Sequence, residues 1–169
     1  MAQSVEENVM AAINYVVDGK SADSRAAMQN AAADLWLQAP LAFSKAIFVS
    51  RETVRFGAYD ERPDNVFEHD EPLLVYAEPV SYGWRKEGDF HVTDLVVDAA
   101  LLSDGGQTLW KKEAFGRFNL KSRYRMMEFL LNLRLDVDGL TAGNYVLQYK
   151  VTDKVRDNSA TIELPFVAK

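Results

Sequence analysis

The sequence predicts a mainly β protein, an antiparallel sandwich of seven or eight strands preceded by a pair of α-helices. Three observations carry that expectation. Beyond residue 41 apolar side chains recur at every second position, most clearly Met127, Phe129, Leu131, Leu133, Leu135 and Val137, with Glu128, Asn132, Arg134 and Asp136 among the residues between them. Turn signals such as Asp104-Gly105-Gly106, Asp138-Gly139, Ala142-Gly143 and Asp157-Asn158 interrupt that pattern at short intervals. Before residue 41 the apolar period is that of a helix.

The helices come first along the chain. Ser4 and Glu7 have the spacing of a capping box, in which the serine hydroxyl accepts from an early helical N–H and the glutamate reaches back to the cap. Val5, Val9, Ala12, Ile13 and Val16 follow on one stripe, which calls for burial, and Asp18-Gly19 ends the segment. A second helix starts at Ser21 or Asp23, runs through the alanine-rich stretch from Arg25 to Leu37 and stops before Pro40, with Met28, Leu35 and Trp36 on a compatible face. Residues 1–40 thus read as a helical hairpin packed on a main domain of residues 41–169. In that domain strands are expected over 43–50, 53–58, 73–79, 90–102 and 107–115, the last two joined as a hairpin by Asp104-Gly105-Gly106. The alternating stretch 127–137 supplies another strand, Tyr145, Leu147, Tyr149 and Val151 a further one, and Ile162, Leu164 and Phe166 the last.

A chain of 169 residues can bury a core without disulfide or metal staples. Its 48% hydrophobic and 26% charged residues, with 9 Gly and 5 Pro, exclude a disordered or fibrous protein. Runs of about 18 apolar residues do not occur, so a transmembrane segment is not expected. The absence of cysteine removes disulfides, thiol nucleophiles and thiolate-bound metals, and leaves the redox compartment open. A net charge of −6 repels a phosphate backbone, and nucleic acid is not an expected partner.

Two segments carry a family resemblance. Gly139-Leu-Thr-Ala-Gly-Asn-Tyr-Val-Leu-Gln-Tyr-Lys-Val-Thr-Asp153 resembles the L-x-x-G-x-Y-x-L-x-x-x-V-x-D strand entry of bacterial immunoglobulin-like domains. The segment from Arg62 to Glu78 is similar to the F-x-x-G-E approach to an early strand in exported bacterial proteins, with Asp70 where the turn glycine usually stands. The resemblance implies an immunoglobulin-like β-sandwich in which Tyr145 is buried, its hydroxyl bonded to nearby backbone to pin a corner. It implies a scaffold only, because such scaffolds host unrelated functions.

Candidate chemistry is sparse. His69 and His91 are the only histidines, and a nucleophile elbow, a P-loop, a dinucleotide fingerprint and a His-Glu-x-x-His pair are all missing, so no catalytic residue and no cofactor is expected. His69 lies between Glu68 and Asp70, whose charges favour an imidazolium, while His91 reads as an edge residue. Asp60, Glu61, Asp64, Glu68, Asp70 and Glu71 crowd residues 60–71; they read as a solvated loop, the alternative being a calcium site in a small metal-dependent enzyme or lectin. Lys111, Lys112, Arg117, Lys121, Arg123 and Arg125 oppose Glu113 alone within 111–125, interleaved with Phe115, Phe118 and Tyr124. That composition can bind single-stranded nucleic acid, but against the overall charge it reads as a solvated loop with its aromatics turned to the core. The acidic and basic segments could also meet between two copies.

Tyr59, Arg62, Tyr82, Trp84 and Arg85 form the candidate partner-binding set, since Tyr and Trp flanked by Arg are common at interfaces and sugar-binding faces. The expected function is a non-enzymatic module of the bacterial envelope, binding a protein or a glycan. Its expected address is periplasmic or secreted, with Met1-Ala2-Gln3-Ser4 read as a processed terminus, and a cytoplasmic start is the alternative. Open strand edges add self-association, as a homo-oligomer or structural assembly, to the alternatives.

Overall fold

The structure is a computed structural model in which residues 4–169 are described. Met1, Ala2 and Gln3, read above as a processed or plain start, lie outside the described residues. The chain divides after Pro40 into two compact units.

The first unit is a pair of helices, α1 (Val5–Val17) and α2 (Ser21–Gln38). Ser4 caps α1 as its spacing requires: its hydroxyl accepts from Glu7 N at 3.2 Å, and its own N–H donates to the Glu7 carboxylate at 2.8 Å. Gly19 follows α1 with φ of 73°, a left-handed conformation that suits glycine, and Lys20 N–H returns to Tyr15 O at 2.8 Å. Asn8 Nδ2 donates to Asp34 at 3.2 Å and Ser24 Oγ to Ala12 O at 2.9 Å, so the helices run side by side in opposite directions. Only part of the expected apolar stripe is covered, Ala12 being buried and Val5 and Val9 half-buried. Asn8, Ala12, Ala27, Ala31 and Ala33 are buried, whereas Ile13, Val16, Met28 and Leu35 are exposed. Small residues admit the close approach, and the bulkier side chains fall outside it.

The second unit is mainly β: β1 (Ala42–Phe48), β2 (Val66–Phe67), β3 (Leu73–Val80), β4 (Arg85–Glu87), β5 (Phe90–Ser103), β6 (Thr108–Ser122), β7 (Leu131–Leu135), β8 (Gly143–Asp153) and β9 (Asn158–Ala168). A three-stranded sheet has the order β1-β3-β7. A larger sheet runs β2-β9-β8-β5-β6, with β4 on the same edge of β5 as β8 but nearer its start. Buried rows of alternate residues line both sheets: Val75 and Ala77 with Leu131, Leu133 and Leu135 in the small one, and Leu95, Val97, Ala99 and Leu101 with Leu147, Tyr149 and Val151 in the large one. Between the sheets, Phe48 of β1 meets Phe67 and Phe166 edge-on, with ring centroids 4.9 and 6.2 Å away.

Four features differ from the expectation. The pairing is mixed, because β2 lies parallel to β9, Val66 opposite Val167 and Phe67 opposite Ala168. Residues 53–58 form a loop; Gly57 turns with φ of 72°, Thr53 Oγ1 donates to Ala58 O, and Val54 is exposed, so no neighbouring strand is paired there. Met127 and Phe129 precede β7, which is five residues long. The basic stretch is chiefly strand: Phe118 pairs with Leu95 and Leu120 with Thr93 on the inner face, while Arg117, Asn119 and Lys121 point outward. The alternation was present there under a cationic composition.

Tyr145 and Tyr149 sit on the same face of β8 and differ in one respect. The Tyr145 hydroxyl donates to Thr141 O at 2.8 Å, while that of Tyr149 is buried without a hydrogen-bond partner among the described residues, and its ionisation is pushed up by burial. Replacing Tyr145 by Phe should therefore lower stability by about 1 kcal/mol, and Tyr149→Phe should leave it unchanged or raise it by up to about 1 kcal/mol. Urea midpoints of the two variants, compared at equal m-values, check the opposite signs.

Candidate functional site

The corner that connects the two sheets is built around a buried carboxylate. Asp153, at the end of β8, accepts from Gly83 N at 2.7 Å with one oxygen and from Val155 N at 2.8 Å and Arg156 N at 3.3 Å with the other. Arg156 in turn donates to Ser81 O at 2.6 Å, and Thr93 Oγ1 to Gly83 O at 3.0 Å. A Cβ on Gly83 would stand 2.6 Å from Arg156 Cγ, so only glycine fits this crossing.

Three residues of the candidate set belong to that corner. Tyr82 is fully buried and Trp84 half-buried; the Tyr82 hydroxyl and the Trp84 indole N–H both donate to Met126 O, at 2.8 and 3.0 Å, with their rings edge-on 6.0 Å apart. Arg85 is exposed in β4 and holds Glu87. The other two lie among different neighbours. Tyr59 packs on Tyr76 at 4.8 Å, and the Tyr76 hydroxyl donates to Glu78 at 2.6 Å; burial first, and Glu78 second, push its pKa up to about 12. Arg62 covers the Phe67 ring at 4.2 Å and grips Glu71 with two nitrogens. Partial burial opposes ionisation of Glu71, yet the hydrogen bonds from Arg62 and Glu68 N outweigh it and lower its pKa.

The acids of residues 60–71 are dispersed onto individual partners: Asp60 with Arg51, Glu71 with Arg62, Glu68 with Lys169 and Asp70 with His69. Among the described residues no three His, Asp or Glu side chains converge as metal ligands. Within the basic stretch, Arg117 holds the buried Asp94 through two bonds of 2.8 and 2.6 Å, and Lys121 and Arg123 approach Glu87 and Asp89. Lys111 is left without a carboxylate partner among the described residues.

A concave surface of the β unit lies where the β5–β6 hairpin meets the end of β7. Opposite Leu101 and Leu102, β6 places Trp110 and Thr108, so Leu109 is an extra residue in the ladder. Such a bulge re-aims its neighbours, and here Leu109 and Trp110 stand together over a groove of about 340 Å3 completed by Leu101, Leu135, Val137 and Leu140. Leu109 is 49% and Trp110 37% exposed, so two adjacent large apolar side chains share the groove and its rim. Asp136 and Asp138 stand at the rim, and Asp136 is engaged by Arg134 at 2.7 Å. Sequence reasoning passed over these groove residues. The available signal was the adjacent pair Leu109-Trp110, which breaks the alternation straight after a Gly-Gly turn.

No family model and no curated protein matches the chain. Among solved structures, superoxide reductase (neelaredoxin) from Ignicoccus hospitalis is 11% identical with a TM-score of 0.38, over 75% of this chain and 82% of that one. The alkylpurine DNA glycosylase AlkC of Pseudomonas fluorescens, solved bound to DNA containing an abasic site analogue, is 10% identical with a TM-score of 0.42, over 91% of this chain and 40% of that one. Likenesses of that size do not bear on activity.

Two outcomes follow from the ion pair and the corner. The hydrogen bonds from Arg117 lower the pKa of Asp94 against the opposing effect of burial. Its stabilisation is therefore complete above the unfolded carboxylate range and fades as pH falls below about 4. Thermal melts between pH 6 and pH 2 should show a smaller acid-induced drop for Arg117→Leu than for the parent protein. Asp153→Ala leaves buried N–H groups unpaired and should cost about 3 kcal/mol in a urea titration.

Proposed function

We propose that the β unit is a non-enzymatic, immunoglobulin-like binding module of an exported bacterial protein, and that it takes a protein partner at the groove beside β6. The carrying observation is the apolar pair Leu109 and Trp110, held exposed over the groove by a bulged hairpin. An exposed tryptophan beside apolar neighbours is the kind of side chain in which binding hot spots are enriched. The lining supports a protein more than a glycan. A sugar needs several polar side chains around the aromatic ring, and of the two acids at the rim Asp136 is already occupied by Arg134. The immunoglobulin-like part of this reading is supported by the turn resemblance around Tyr145 and its hydrogen bond to Thr141, and the exported address rests on the resemblance of residues 62–78 alone. Tyr82 and Trp84 support the scaffold in this reading, through their shared bond to Met126 O.

The test compares the parent protein with Trp110→Ser as bait in bacterial envelope extract. The expected outcome is a protein retained by the parent and reduced at least about tenfold by the variant, as truncation of a hot-spot aromatic does, at an unchanged melting temperature. Equal retention by both baits, or none by either, refutes the groove as the binding surface.

A further inference from the structure

The groove is bordered by a strand edge with no partner. Among the described residues β6 pairs only with β5. Its first five residues, Thr108, Leu109, Trp110, Lys111 and Lys112, are all exposed, Trp110 the more covered of the apolar pair, with its ring edge-on to Phe115 at 6.4 Å. A second bulge closes the segment: between the pairs Ala99–Lys112 and Val97–Gly116 three residues of β6 oppose one of β5, and Ala114, with φ of 47°, donates its N–H to Asp98 at 2.8 Å. Thr108–Lys112 is thus a short, extended edge with a groove beside it and two lysines at its end.

The register decides what could lie against it. Opposite residues of an antiparallel pair share a face. Trp110 pairs with the buried Leu101 and so faces the groove, whereas Lys111 pairs with Ala100 and faces outward; Lys112, opposite the buried Ala99, returns to the groove side. An added strand would meet an aromatic ring, then a cation on the outer face, then a cation on the inner face. We propose that Thr108–Lys112 accepts an extended segment of a protein partner by strand addition, with acidic side chains opposite Lys111 and Lys112 and a bulky aliphatic one beside Trp110. The argument for this occupant is charge: Lys111 has no carboxylate partner, and Lys112 only approaches the Phe115 ring, at 5.8 Å. Main-chain bonds to the edge supply affinity and the alternating side chains supply selection, as in β-augmentation generally. This inference rests on the groove being the binding surface and adds the partner's chemistry and its backbone mode.

The probes are synthetic peptides offered to the full chain and read by calorimetry. Thr-Val-Glu-Glu-Val-Thr presents the required pattern in either strand direction. Its Lys-for-Glu counterpart reverses the charge, a version with the central glutamates replaced by Glu-Pro removes a ladder N–H, and oligothymidylate serves as the polyanion without a peptide backbone. The expected result is saturable binding of the first peptide, weakened at least about tenfold in the Lys and Pro versions and by the surface double variant Lys111→Glu/Lys112→Glu. Slowed amide exchange in Thr108–Lys112 should accompany it. Equal affinity for the Pro version, for the Lys version or for oligothymidylate overturns the proposal. So does a concentration-dependent dimer protecting the same amides without peptide. Failure of every peptide also overturns it, and leaves the Trp110-dependent capture of a partner as a separate, still readable result.

Discussion

The carboxylate of Asp153 is the contact on which the arrangement of the β unit depends. It sits where the chain leaves the three-stranded sheet after β3 and enters the larger sheet at β4, and it ties that crossing to the β8–β9 turn through Gly83, Val155 and Arg156. A buried charge is stable only when its lone pairs are filled, and here backbone N–H groups fill them. The crossing is thereby held, with glycine at 83 as the only residue that fits beneath Arg156. From it β5 departs in a defined register, and the hairpin that β5 begins projects in a defined direction.

The groove itself follows from unequal sheets. The small sheet ends at β7, five residues long, while β6 in the large sheet runs for 15 residues and extends past it. The inner rows of β5 and β8 are buried along this length, whereas Thr108–Ala114 of the edge strand β6 is exposed beside them. Natural proteins usually shield such an edge with charge or a bulge. Here the irregularity at Ala114 ends the regular edge, while Lys111 and Lys112 restrict which strand could pair with it and Leu109 and Trp110 stay in the open beside the turn.

Some of this was legible in the residues. Ser4 with Glu7, the inward rows of β5, β7 and β8 and the hairpin turn at Asp104-Gly105-Gly106 each depend on neighbours a few positions away, and local pattern reports them well, while the hydroxyl contact of Tyr145 was implied by the family resemblance. Other features were hidden for identifiable reasons. Cationic composition masked the alternation of residues 116–122, and Thr53, Val54 and Phe56 looked like a strand because β-propensity says nothing about whether a partner strand exists. The helical stripe of Ile13 and Val16 lost to alanines because close approach, and not side-chain size, selected the contact face.

The sequence by itself determined the content of the protein: two helices, then a mainly β unit with alternating apolar rows, a punctuating set of turns and no strongly motif-borne chemistry. The tertiary structure alone decided which aromatic residues serve the scaffold and which are left available. Tyr82 and Trp84 were drawn into the corner beside Asp153, whereas Leu109 and Trp110 were left out over a groove. Periodicity is a property of neighbouring residues, but the occupancy of a strand edge depends on which distant segment reaches it, and nothing within Thr108–Lys112 states that none does.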